Sequence, residues 1–138
     1  MGGSSGALYS LFFGEIAKQL FTIASKEIKV KREIVSRCIG AATAKVMEYG
    51  GAKKGDRTMV DVLLAVVDSL EANQSCVEIL AEADRAAKET SSMLALKGRA
   101  SYVNPEETQG REDAGARAVA IWVEAICKNA CVYNETRV

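Results

Sequence analysis

A single proline, Pro105, stands among 138 residues, and this scarcity of chain breakers is what most limits the folds open to the sequence. Proline removes a backbone donor and ends helices, so proline-free stretches can be helical wherever apolar residues recur at the right period. Residues 7–24 bring Leu8, Leu11, Phe12, Ile16, Leu20 and Ile23 to one broad face. After a charged patch from Lys26 to Arg32, residues 33–49 repeat the pattern with Ile34, Val35, Cys38, Ile39, Ala42 and Val46. A third helix, capped by Asp56 or Thr58, runs through Met59, Val62, Leu63, Val66, Val67 and Leu70. It is apolar around most of its circumference, which predicts a central place in the core. Ser75, with Glu78 three residues on, opens a fourth helix in a capping-box pattern that reaches to about Leu96. The last helix spans residues 114–132 with Val119, Trp122, Val123, Ile126 and Cys127. No stretch alternates as a strand does, so the expected fold is all-α, an antiparallel bundle or barrel of about five helices.

Short connections are enough for antiparallel helices, yet some breaks here are long and rich in glycine. "GGSSG" precedes the first helix, "GGAKKGDRTM" the third, and "KGRASYVNPEETQGREDAG" the fifth. In an up-and-down bundle alternate connections fall at one end, so these three meet at one rim. Helix N-termini carry partial positive charge and unpaired N–H groups, which suits an anionic ligand such as a polyphosphate. Taken singly, each has a plainer reading: a linker, a solvated lysine turn, an exposed connection. "GAKKGDRT" also fails the GxxxxGK[ST] pattern, and no strand precedes it.

Charge and composition narrow the chemistry further. Eighteen basic and eighteen acidic residues cancel, which predicts no general affinity for nucleic acid or an anionic membrane. No apolar run approaches a bilayer span and no signal peptide is evident, so a cytoplasmic location is expected. With no histidine, there is no Ser-His-Asp triad, Cys-His pair or imidazole base. Cys38, Cys76, Cys127 and Cys131 are expected as thiols, mostly buried, rather than a disulfide framework or a zinc site.

The segments "MGGSSGALYSLFF", "GDRTMVDVLLAVVDSL" and "KGRASYV…DAGARAVA", in this order and spacing, resemble the nucleotide-binding L domain of dihydroxyacetone (glycerone) kinases. The resemblance covers essentially the whole chain. It implies an antiparallel barrel of eight helices, of which this sequence holds about five, with ATP or ADP and magnesium bound at one rim. Gly2 to Gly6 then stand as the phosphate loop behind Met1, with Gly3, Ser4, Ser5 and Gly6 around the phosphates and the two serines in contact through hydroxyl and N–H. Gly50 would let the backbone approach the nucleotide, and Thr58 and Met59 would border the adenine. Arg99 and the turn Asp113-Ala114-Gly115 would close over the nucleoside, with alanine where the family usually has proline.

The resemblance also sets expectations about what this sequence lacks. In the family an aspartate cluster in a motif like Gly-Asp-x-Asp-His-Gly precedes the phosphate loop and holds magnesium, and a separate K domain binds dihydroxyacetone through a histidine. Neither is in these residues. Asp56, Asp61 and Asp113 are expected in structural roles rather than as metal ligands, with Asp61 favouring its helix dipole. The function implied is therefore that of the C-terminal portion of an L domain, part of an ATP-dependent dihydroxyacetone kinase and inactive alone. Its expected partners are the nucleotide and either the rest of the kinase or a second copy. Two alternatives accompany it: a non-catalytic truncated paralogue acting through protein contacts, and the L subunit of a phosphotransfer-system kinase. L-like domains also occur in fatty-acid kinases, and some relatives have an FMN-cyclase side activity.

Overall fold

A computed structural model describes residues 3–24 and 31–135, the side chains of residues 24, 99 and 130–135 excepted. Met1, Gly2, Cys131's side chain and most of the Lys26–Arg32 patch lie outside the described residues. Six α-helices follow in order: α1 (Gly3–Ala24), α2 (Arg32–Gly50), α3 (Met59–Glu71), α4 (Cys76–Glu89), α5 (Pro105–Thr108) and α6 (Ala114–Glu135). Two 3-10 turns, Thr90–Ser92 and Arg99–Tyr102, lie between α4 and α5. The all-α antiparallel expectation holds, with strands absent among the described residues.

The third helix is central, as its apolar circumference predicts. It packs on α2, α4 and α6, and it buries Val60, Val62, Leu63 and Val66 against Val46, Ala83, Ala87, Ala116 and Val119. The small residues on α4 and α6 let those helices approach closely. α1 has a different standing: its principal partner is α2, and beyond that it meets α6 through Phe12 and Phe13, whose rings lie 5.8 and 6.1 Å from that of Trp122.

Local chemistry explains most boundaries. Thr58 caps α3, its side chain accepting from Val60 N–H while the Asp61 carboxylate accepts from Thr58 N–H at 2.8 Å. Of the two cap candidates, Thr58 is thus the one used. Ser75 and Glu78 form the expected capping box of α4. α2 stops because Gly51 takes a left-handed φ of 65° and returns its N–H to the Met47 carbonyl, the usual role of a glycine past a helix end.

Three expectations are corrected. α1 begins at Gly3, not at residue 7, so "GSSG" is its first turn rather than a loop before it. α4 ends at Glu89 instead of reaching Leu96. The Thr90, Ser91 and Ser92 hydroxyls donate back to the Ala87, Lys88 and Glu89 carbonyls and draw the chain into a 3-10 turn. Finally, the long segment before α6 contains a helical turn, α5, with Asn104 as its cap and Pro105 in its first turn.

Candidate functional site

The N-termini of α1, α3 and α6 meet at one end of the molecule, where they and the segment 97–113 line an open cavity of about 1100 Å³. Ser4 and Ser5 line it from α1, Tyr49 and Gly50 from the end of α2, Arg57, Thr58 and Met59 from the start of α3, and Asp113, Ala114 and Gly115 from the start of α6. Lys97, Gly98, Ala100, Val103 and Glu106 complete the outer side. The rim inferred from alternation of the connections therefore exists, built from segments more than a hundred residues apart.

The candidate residues do not all stand alike. Gly3 and Gly6 are outside the cavity lining; Gly6 is buried within α1 and Gly3 is exposed at its start. Gly50 lines the cavity but closes α2, and a Cβ there would lie 3.3 Å from Leu8 Cδ2. Its bareness thus serves the close approach of α1 to α2. Arg99 begins a 3-10 turn whose neighbours Gly98 and Ala100 line the cavity, while its own side chain is outside the described residues. Gly98 has a φ of 75°, a conformation that favours glycine, and lies beside Thr58, where a Cβ would make an ordinary contact at 4.0 Å from Thr58 Cγ2.

The three aspartates near the cavity are engaged with the backbone. Asp56 accepts from Lys53 N–H at 2.9 Å. Asp61 accepts from Gly55 N–H at 2.6 Å as well as from Thr58. Asp113 accepts from Ala116 N–H at 2.8 Å and so caps α6. Burial pushes the Asp113 carboxyl up from its ordinary value, and the Ala116 N–H and the Arg57 charge oppose that rise. Among the described residues no cluster of three or more His, Cys, Asp or Glu is arranged to hold a metal. Asp56, Asp61 and Asp113, committed to N–H donors, do not fit a magnesium site.

A residue the sequence did not single out joins the loops together. Arg57, only 3% exposed and at a φ of 60°, donates through Nε to the Thr90 carbonyl at 3.1 Å. Through Nη2 it donates to the carbonyls of Thr108 at 3.1 Å and Arg111 at 2.8 Å. In the sequence it is one letter of "GDRTM", and its partners lie 33 to 54 residues away, so no local signal could reveal them. Elsewhere, Arg117 on α6 binds Glu112, whose carboxyl it holds below the usual range, and Asp84 on α4 at 2.7 Å, which Lys88 first and then Arg117 hold below theirs.

Residues 1–128 match the DAK2 domain family. The chain belongs to the DAK2-domain family. Within it, the chain is 34% identical over 131 residues to a dihydroxyacetone kinase of Citrobacter freundii, covering 94% of this chain and 22% of that protein. It is 33% identical to dihydroxyacetone kinase 1 of Saccharomyces cerevisiae, over 91% of this chain and 21% of the relative, and 37% identical to human triokinase/FMN cyclase, over 91% and 22%. The crystal structure of the native form of the C. freundii kinase superposes with a TM-score of 0.67 at 31% identity, over 94% of this chain and 21% of that one. This DAK2-family chain therefore spans about a fifth of the length of the relatives it matches, and its helical fold is that of the matched part of the C. freundii structure. Among the described residues no helix is long and apolar enough to cross a membrane.

Proposed function

We propose that this DAK2-family chain is the nucleotide-binding part of an L-type kinase domain, and that the cavity between α1, α3 and α6 takes ATP or ADP. The observation that carries this reading is the convergence of Ser4 and Ser5, Thr58 and Met59, and Asp113 to Gly115 on one cavity. The first-turn N–H groups and hydroxyls of Ser4 and Ser5 offer donors and a favourable dipole to phosphate oxygens. Thr58 and Met59 present a methyl group and a thioether to a flat base, and Asp113-Ala114-Gly115, with Arg99, borders the nucleoside.

Phosphoryl transfer rests on positioning and on neutralising charge over the β- and γ-phosphates. With Asp56, Asp61 and Asp113 held by backbone donors, the residues of this chain bind and orient the nucleotide rather than its metal. Transfer to dihydroxyacetone is proposed as the property of a larger kinase, in line with kinase relatives about four times as long. The same commitment of the carboxylates favours, as a second reading, a chain that binds without turnover and acts through contacts with another protein. In either case the chain would work in the cytoplasm.

Thermal unfolding followed by circular dichroism, with and without ADP and magnesium, tests the site. A ligand bound by the folded state alone stabilises by about 2.7 kcal/mol at a hundredfold excess over Kd, so the melt should rise with ADP. Ser5→Leu should abolish that rise and keep the helical signal; an unchanged rise would remove Ser5 from the phosphate site. Turnover of Mg-ATP with dihydroxyacetone by the chain alone would contradict the assignment of transfer to a larger enzyme.

A further inference from the structure

Arg57 is a buried cation with an unusual set of partners. All three of its recorded bonds go to backbone carbonyls, and among the described residues no carboxylate forms an ion pair with it. Burying a guanidinium costs several kcal/mol of desolvation, and carbonyl dipoles return part of that only if held in place. The carbonyls it holds are not a random set. Thr90 stands where α4 ends, and Thr108 and Arg111 stand shortly before α6 begins. One guanidinium thus joins the start of α3 to both ends of the 90–111 segment, which supplies the outer side of the cavity.

Further ties are the Gly110 N–H to the Ser91 carbonyl at 3.0 Å, which closes the segment's two ends on each other, the Asp113 N–H to the Thr90 hydroxyl at 2.8 Å, and, from its middle, the Leu96 N–H to the Asp56 carbonyl at 3.4 Å. Between them the segment's surface is thinly packed, with Leu94, Leu96, Tyr102 and Val103 all exposed. It has little apolar burial of its own to hold it against the cavity.

We propose that Arg57 is a positioning residue of the nucleotide site: its fork of three carbonyl bonds sets the 90–111 segment in place before ligand arrives. This rests on the nucleotide reading above. With the fork intact, ADP meets a formed cavity; without it, binding must also order the segment, and the apparent affinity falls by the fraction of molecules in which the segment is docked. The nucleotide itself need not touch Arg57.

The test uses the 138-residue chain and its Arg57→Lys and Arg57→Ala variants. Lysine keeps the charge and loses the planar fork. Hydrogen exchange without nucleotide should quicken at Leu96, Gly110 and Arg111 in both variants, while amides in the middle of α3 and α4 stay protected. ADP affinity by calorimetry should fall about tenfold or more in each. Guanidinium chloride at non-denaturing concentration should restore affinity to Arg57→Ala, where equal sodium chloride should not, and should leave the parent chain unchanged. A lysine variant with parental exchange and affinity would overturn the proposal, as would a weakened alanine variant that guanidinium fails to rescue. If Arg57→Ala does not fold, the lysine variant decides. Should the parent chain bind no ADP, the nucleotide role of Arg57 falls with that reading, and quickened exchange would still identify the fork as what docks the segment.

Discussion

Asp113 shows how one side chain at this rim is subject to opposing demands. As the cap of α6 it must accept from Ala116 N–H, and its burial beside the cavity penalises the charge that makes it a good acceptor. The net result is a carboxyl held above its ordinary value of 3.8, so the folded state binds its proton more readily than the unfolded chain does. The ionised group therefore costs stability at neutral pH, and this cost disappears as pH falls through the raised value and below 3.8. Asparagine caps a helix as well as aspartate does and carries no charge. Asp113→Asn is thus expected to melt higher than the parent near pH 7, with the difference shrinking towards zero in acid. Melting temperatures from pH 7 to 3 check this; a difference independent of pH would show that burial of the charge is not what separates the two.

The helices themselves were legible wherever a side chain acts on its own neighbourhood. Thr58, the Ser75–Glu78 pair and the apolar faces of α2 and α3 are short-range signals, and the structure follows them to within a residue. The end of α4 was hidden because an alanine-rich periodic pattern runs on past it. What stops it is Thr90, fully buried, whose hydroxyl donates to the Ala87 carbonyl and accepts from Asp113 N–H at 2.8 Å, a contact 23 residues away. The start of α1 was hidden for the opposite reason: "GSSG" has the composition of a loop, and helix propensity alone argues against it. The gathering of Ser4, Thr58 and Asp113 could be inferred from the alternation of helix ends, but the Arg57 fork could not, since nothing local marks it. Thr90→Val keeps the shape and removes both hydroxyl bonds, leaving the half-buried Asp113 N–H without its partner. A loss of about 1–3 kcal/mol is expected, read from urea denaturation; Thr90→Ser should recover most of it, and a neutral valine variant would locate the end of α4 elsewhere.

On the scale of the whole molecule, apolar surface is unevenly covered. Phe13, Phe21, Ile121 and Ile126 on α1 and α6 are half-exposed or more, and Phe13 lies against Trp122, whose Nε1 is buried without an acceptor. Exposed large apolar side chains on two helices mark surfaces that associate. Light scattering at high concentration is expected to give a mass above the 14.8 kDa of one chain, and Phe21→Gln with Ile126→Gln should return it to that value. A stable monomer at all concentrations would contradict this. The uneven covering has a second consequence, which follows from how few neighbours α1 has. α3, α4 and α6 pack on one another and α2 packs on α3, whereas α1 leans chiefly on α2 while contributing Ser4 and Ser5 to the cavity. A nucleotide spanning from those serines to the start of α6 would act as a strut between the least anchored helix and the rest. Letting go of the ligand and letting α1 swing away would then be two descriptions of one event, and the lifetime of the complex would measure the hinge rather than the pocket.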